Sequence, residues 1–331
     1  MWDEVLGHQQ NKEFLQKLLK PGSRPHALLF YGMGGIGKKM LALHFAKTFL
    51  CKSADKKPCG ICESCRLMDI ENNSFAHPDF YLLTAEEAGK DIKIEQVKEM
   101  AKQAAFAPVL SKHKVCIIDD AGQMTAEAAN SLLKLLEEPP PGWLFILITQ
   151  QPERLLPTVL SRVVRLRFDA PDTKAVQQIL NAHGVTRNTK VLAALAGGSP
   201  GKALSYAGAD IFSIRCEALD LLKQLPLKNP FGYIAGLGLG EKYARAEALL
   251  LTEQFVYLLR DVLLLQSGAA GQIYNTDITA ELGALAQNLP LHITRQSVNA
   301  AQEAWQNINK NVSAKNVLEA LVLKLDLLRK E

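Results

Sequence analysis

No run of about 18 apolar residues occurs anywhere in the 331-residue sequence, so no segment reads as a transmembrane helix. Net charge is almost absent as well: 38 Lys and Arg against 34 Asp and Glu leave +4. Such a slight excess is compatible with nucleic acid nearby, but it forms no basic tail or stripe that would bind it on charge alone. Internal repeats and low-complexity tracts are missing, which sets aside solenoids and disordered arrays. Cysteine is scarce, six in all, and four of the six crowd between positions 51 and 65. That crowding argues for a metal rather than for disulfides. The opening MWDEVLGHQQ is acidic and polar, unlike a signal peptide, and the cytoplasm is the expected compartment. What the chain does have is core-forming material, 48% hydrophobic residues over a length that suits two or three domains.

The stretch ALLFYGMGGIGKKM, residues 27–40, organises the rest. Ala27 to Tyr31 is a short run of large apolar side chains and reads as a buried strand. Gly32 to Lys38 fits G-x-x-x-x-G-K, and Leu41, Phe45 and Phe49 then recur at four-residue spacing on one helix face. Strand, glycine loop and helix in that order is the setting of a phosphate loop. Glycines let backbone N–H groups turn inward, and the helix start adds partial positive charge. Gly32, Gly34, Gly35, Ile36 and Gly37 would cradle phosphate, with Lys38 reaching it. The following position should carry a Ser or Thr hydroxyl for Mg²⁺, but it is Lys39, whose ammonium has no lone pair for a metal. That argues against a working ATPase. The plainer alternative is a flexible glycine turn.

Along the chain, 11–19 reads as a helix ended by Pro21 and Gly22, and 79–84, 115–119, 143–149 and 163–168 read as further strands. Helices are expected at 94–106, with Ile94, Val97 and Ala101 inward, and at 125–136, with Thr125 as N-cap and Pro139, Pro140 and Pro141 as the stop. Strands alternating with helices predict an α/β fold with a parallel sheet. After Phe168 no strand run appears. Helices follow at 173–182, 190–196, from the GGSPGKAL stretch, 217–224, 241–265, 295–309 and 313–330. Three domains are expected: 1–168 as the α/β phosphate-loop domain, 169–209 as a small helical lid, and 210–331 as an all-helical domain.

Cys51, Cys59, Cys62 and Cys65 are spaced C-x7-C-x2-C-x2-C. Four thiolates satisfy tetrahedral Zn²⁺, and with every position filled by protein the ion would be structural. Incidental thiols are the alternative. Cys116 and Cys216 stand alone in apolar segments and read as buried thiols. Asp119 and Asp120 end the VCIID run, where a carboxylate facing the loop would hold Mg²⁺. The second acid is usually Glu in an ATPase, and Asp is one methylene shorter. A misplacement of about 1 Å can cost on the order of 10²-fold in rate, so this too argues against efficient hydrolysis. Two solvated carboxylates are the plainer reading. Lys93, Lys98, Lys102, Lys112 and Lys114 are candidates to face nucleic acid, although scattered lysines usually serve solvation. Arg162, before the VVRLRF run, is by itself a surface charge.

GMGGIGK, the four-cysteine module after the loop helix, VCIIDDAGQMTAEAANSLLKLLEEPP, LLPTVLSR and NVSAKNVLEALVLKL together resemble bacterial clamp-loader subunits. These are AAA+ proteins of the DNA polymerase III holoenzyme. The resemblance covers nearly the whole chain and is weakest between about 205 and 293. It implies an AAA+ domain with a zinc module, a lid, and a C-terminal collar that assembles a heteropentamer with γ/τ and δ subunits. It also implies work on the β sliding clamp and primed template DNA. Within the family, the γ/τ chains hydrolyse ATP, whereas the δ′ chains act mainly as rigid ring members. Lys39, Gly201 at the position of the motors' lid arginine, and the length favour the δ′ kind. By the same resemblance Arg162 is the arginine of a Ser-Arg-Cys motif, with Val163 where Cys is usual, and serves a neighbour's ATP site in trans. Thr149 matches the sensor at the end of its strand. Any ATP or ADP held by this chain would be held weakly. An active γ/τ-type ATPase, a nucleotide kinase with a zinc lid, and a scaffold with a vestigial loop remain as alternatives.

Overall fold

The computed structural model describes residues 2, 5–20, 24–54, 56–87, 90–237 and 244–330. The chain divides into two compact units, Met1–Ile179 with Gly198–Lys202, and Leu180–Gly197 with Ala203–Glu331.

In the first unit the apolar runs pair as strands: β1 (Ala27–Tyr31), β4 (Phe80–Leu83), β5 (Lys114–Ile118), β6 (Trp143–Thr149) and β7 (Val164–Arg167). They form one parallel sheet in the order β4–β5–β6–β1–β7, with Leu28 opposite both Ile146 and Val164. Alternate side chains of a strand point to opposite faces, and here both faces are dry. Leu28, Phe30, Ile117 and Ile146 pack with Leu41 and Phe45 of α2 (Lys38–Leu50). On the other face Leu29, Cys116, Phe145 and Leu147 pack with Val97 and Met100 of α4 (Ile94–Ala104) and Leu132 of α5 (Ala126–Glu137). Burial on both faces is why these strands are continuously apolar rather than alternating.

The remaining elements of this unit are α1 (Gln9–Leu18), α3 (Glu63–Arg66), α6 (Pro157–Leu160), most of α7 (Thr173–Ala182) and a hairpin of β2 (Met68–Asp69) with β3 (Ser74–Phe75). Thr125 caps α5 as expected, its hydroxyl oxygen accepting the Ala128 N–H at 3.2 Å. The residues expected to end α1, Pro21 and Gly22, lie outside the described residues.

Three expectations need correction. The inward positions of α4 are Val97, Met100 and Ala104, while Ala101 is only half-buried. Lys114 does not face a partner: it is 1% exposed, donates to the Gln103 carbonyl at 2.9 Å and lies over the rings of Tyr81 and Trp143. Its methylenes fill the core while aromatic faces and a carbonyl satisfy the ammonium. Cys216 is exposed, although Cys116 is buried. The helix that carries Cys216 is amphipathic, and Cys216 lies on its outer face.

The second unit is helical: α8 (Thr189–Leu195), most of α9 (Pro200–Gly208), α10 (Ile211–Gln224), α11 (Pro230–Leu237), α12 (Arg245–Gln266), α13 (Thr279–Asn288), α14 (Leu291–Asn309) and α15 (Ala314–Leu328). Leu251, Phe255, Leu258 and Val262 of α12 form the centre of its core, against Ile293, Ala301 and Ile308 of α14 and Leu321 and Leu325 of α15. Buried carboxylates there are fully engaged. Asp261 accepts the Asn275 N–H at 2.8 Å and Arg260 at 2.9 Å, and Asp326 accepts the Leu227 N–H at 2.6 Å. Residues 241–243, at the expected start of the long helix, lie outside the described residues.

Candidate functional site

β6 lies between β1 and β5 in the sheet, so the carboxyl ends of these three strands open on one place. This is where open α/β sheets bind ligands. β1 ends at Tyr31, the chain turns through Gly32–Gly37, and α2 starts at Lys38. Gly35 has φ 71°, and a Cβ there would sit 2.4 Å from the Ser199 hydroxyl. Only glycine fits. Lys38 Nζ folds back to donate to the carbonyls of Gly32 and Met33, each at 2.6 Å, and so stiffens the loop. Burial lowers the Lys38 ammonium from its ordinary value, with Asp119 and Asp120 opposing that shift.

Asp119 follows β5 and Thr149 ends β6. Together with Gly34, Gly35, Gly37, Lys38, Lys39 and Asp120 they line one cavity of about 450 Å³. Of the residues singled out from sequence, Ile36 turns away into the core, 2% exposed. Arg162 is not among the lining residues. Lys39 Nζ lies 3.0 Å from an Asp119 carboxylate oxygen. Asp120 adopts a left-handed conformation, φ 54°. Thr149 is buried, and its hydroxyl oxygen accepts the Gln151 N–H at 3.1 Å.

Two contacts on this loop were missed in the sequence. His8 bonds the Ile36 carbonyl at 2.6 Å, its pKa lowered chiefly by burial. Ser199 and Gly201 close on the loop from the segment 198–202. The Ser199 hydroxyl donates to the Gly34 carbonyl at 2.9 Å and the Gly201 N–H to the Gly35 carbonyl at 2.9 Å. A Cβ on Gly201 would lie 3.1 Å from both Cα and O of Gly35. A side chain at 201 therefore has no room. Nothing local in GSPGKAL signals this contact, because its partner lies about 165 positions earlier.

The four cysteine sulfurs all lie within 4.8 Å of one another. Cys51 and Cys62 sulfurs are 4.0 Å apart, Cys59 and Cys65 sulfurs 3.9 Å. Zinc–sulfur bonds of about 2.3 Å in a tetrahedron place sulfurs roughly 3.8 Å apart. The donor set thus fits a tetrahedral ion. N–H groups of Cys62 and Ile61 draw the Cys59 thiol down to about 6, while burial pushes the Cys65 thiol up to about 12. A cation among them would favour the thiolate at all four. The module is tied to the sheet by a directed chain of hydrogen bonds. The Asp79 N–H donates to His77 Nδ1 at 3.0 Å, which leaves Nε2 to donate to Ser64 Oγ at 2.7 Å. Ser64 Oγ donates in turn to the Leu50 carbonyl at 2.8 Å.

Arg162 follows α6 and pairs with Glu137 at the end of α5 at 2.7 Å, its side chain 34% exposed. It also donates to the Thr158 carbonyl at 3.0 Å. The partly exposed guanidinium is held by its own chain, on Glu137 and Thr158.

Two family models match, "DNA polymerase III, delta subunit" over residues 7–172 and "DNA polymerase III, delta subunit, C terminal" over residues 219–325. The chain is 32% identical to the DNA polymerase III subunit delta′ of Bacillus subtilis over 307 residues, 91% of this chain and 90% of that one. Against the subunit delta′ of Escherichia coli it is 34% identical over 275 residues, 81% and 78% of the two chains. The subunit gamma/tau of Mycobacterium bovis is 30% identical over 293 residues, 80% of this chain but 49% of that longer one.

Proposed function

The chain belongs to the δ′ family of DNA polymerase III subunits, and from that premise we propose that it is a clamp-loader ring member with little or no ATP hydrolysis of its own. In this reading it lends Arg162 to ATP held by a neighbouring γ/τ-type motor. The assembled ring, with δ as a further member, opens the β sliding clamp and places it on primed DNA.

The observation that carries the reading is the ion pair between Lys39 and Asp119 at 3.0 Å. Hydrolysis by a phosphate loop needs Mg²⁺ held by the loop hydroxyl and the strand-end carboxylate. Here the hydroxyl is replaced by an ammonium, and that ammonium engages the carboxylate. Gly201, packed on Gly35, supports the same view, since the motors' lid arginine has no space at that position. The loop keeps Lys38 and its glycines, so weak nucleotide binding is retained without efficient turnover.

Arg162 is suited to act elsewhere. Its pair with Glu137 is partly solvated, 34% and 49% exposed, and such pairs contribute about 0–1 kcal/mol. Turning the guanidinium to a partner's phosphate therefore costs little. An arginine supplied in trans is worth roughly 10³–10⁵ in GTPases. Zinc on Cys51, Cys59, Cys62 and Cys65 would supply structure only, since four thiolates leave no position open for water. Exposed Trp305 and Leu327 in the helical unit are suited to packing in a collar.

The test is ATP hydrolysis by the loader reconstituted with its partner subunits, clamp and primed DNA, using wild type, Arg162→Ala and Lys38→Ala. A large fall with Arg162→Ala and little change with Lys38→Ala is expected. The reverse pattern identifies a γ/τ-type motor, and indifference to both identifies a scaffold.

A further inference from the structure

The divalent cation that serves phosphate loops does not fit this one, and the misfit has a direction. Mg²⁺ takes six oxygen ligands at about 2.0–2.1 Å and tolerates little distortion. The loop position that should offer an oxygen carries the Lys39 ammonium, a donor with no lone pair. The remaining protein oxygen, on Asp119, is already bound at 3.0 Å by that ammonium. A cation arriving there would lose one ligand, would have to displace a salt bridge from the second, and would face a positive charge. The rest of the loop is assembled. Lys38 is 6% exposed and braced on two carbonyls, and the cavity of about 450 Å³ opens beside Gly35, Gly37 and Thr149.

We propose that the Lys39 ammonium excludes the divalent cation from this loop and stands in its place, so that a nucleotide polyphosphate is held here metal-free. The inference rests on reading Gly32–Lys38 as a phosphate loop. Lys39 carries one charge where Mg²⁺ carries two, and part of it is spent on Asp119. Binding is therefore weaker than at a motor site, but it needs no divalent cation and is not weakened by a chelator. A site of this kind needs no Mg²⁺ to hold its ligand and cannot activate the γ-phosphate, which suits a ring member that stays put while its neighbours turn over.

The experiment is calorimetric and fluorescence titration of the full chain with ADP, in buffer with Mg²⁺ and in buffer with EDTA. For the wild type binding should be no tighter in Mg²⁺ than in EDTA, and weaker to the extent that Mg²⁺ draws ADP away from a site that excludes the metal. Lys39→Thr restores the hydroxyl and frees Asp119, and should tighten binding in Mg²⁺ by at least roughly tenfold, about 1.4 kcal/mol, relative to EDTA. Asp119→Asn releases Lys39 without adding a metal ligand and should strengthen binding in EDTA several-fold, with Mg²⁺ still giving no gain. Mn²⁺, added with ADP, should not broaden the backbone amide lines of Gly35 and Thr149 in the wild type beyond its effect without ADP. A wild-type chain that needs Mg²⁺ overturns the substitution of metal by Lys39 and leaves the phosphate loop standing. No binding of ADP in either buffer overturns the phosphate loop itself, and this inference with it. Neither result touches the Arg162 reading, which is decided by hydrolysis at the neighbour's site.

Discussion

Asp79→Asn should destabilise the sheet unit by about 3 kcal/mol, and the number follows from three hydrogen bonds. The Asp79 side chain is fully buried and accepts the N–H groups of Val109 at 2.7 Å, Leu110 at 2.8 Å and Ser111 at 2.7 Å. One oxygen serves Val109 and the other serves Leu110 and Ser111. Burial by itself would raise this carboxyl, but the three amides, first Ser111, outweigh it and hold the pKa below the ordinary 3.8. An Asn side chain has a single oxygen. In its better orientation it keeps the Leu110 and Ser111 amides at neutral strength and turns an NH₂ group against the Val109 N–H. An unpaired buried amide costs about 1–3 kcal/mol, and a bond to a charged acceptor is worth about 1.5–3 kcal/mol against ~1 for a neutral one. These figures span about 2–7 kcal/mol; the exposure of Val109 and the cheaper burial of a neutral side chain place the loss at the lower end, near 3 kcal/mol, roughly 6–12 °C in the melting midpoint of a unit of this size.

Urea and thermal unfolding read by tryptophan fluorescence will measure it in a Trp305→Phe background, where Trp2 and Trp143 both report from the sheet unit. A shift under about 0.5 kcal/mol would refute the reasoning. It would mean that water satisfies the loop amides as well as the carboxylate does, a real contest because Val109 is 76% exposed.

Removing the metal, by chelator or by Cys62→Ser, should release one zinc equivalent and expose residues 51–66 to hydrogen exchange while β1 amides stay protected. Apparent zinc binding energies of about 10–16 kcal/mol in small peptides set the scale; protection unchanged after release would argue for a module that folds without metal. On acidification, His77, His8 and His113 are all held below the ordinary 6.5, in each case first by burial. The unfolded chain therefore takes up protons before the native one, so stability is full above about pH 6.5 and falls as pH drops through and below that value. His77→Gln should make the fall in unfolding free energy between pH 7 and 5 shallower, and stability that rises in acid would contradict the assignment. Gly201→Arg should lower the melting midpoint by the equivalent of about 1–3 kcal/mol, since its Cβ would press on Gly35. It should not confer ATP hydrolysis, and a hydrolysing variant would show that the lid segment has room after all.

Much of this protein was legible from residue order because the relevant physics is local. A strand covered on both faces must be continuously apolar, so 143–149 could be read to the residue. Thr125 and the three prolines bound α5 by capping and by loss of donors. Four cysteines at such close spacing can meet at one ion whatever surrounds them, and the glycine loop between a strand and a helix needs no distant help to turn. The hairpin of β2 and β3 escaped because two residues a side carry no period.

What the tertiary structure alone decided are the pairings across the chain. Lys39 was visibly wrong for a metal, but that its ammonium binds Asp119, eighty positions on, depends on β5 lying two strands from β1. Gly201 could be named as a missing arginine, but only the packed segment reveals that its hydrogen is needed against Gly35. Arg162 was by itself a surface charge and by resemblance a residue serving a neighbour, but only the fold reveals its pair with Glu137. Lys114 and Cys216 went opposite ways from their expected surroundings, one into an aromatic core and one to solvent. Hydrophobic period marks which face of an element turns inward, whereas the neighbour waiting there is set by the order in which strands and helices are laid side by side.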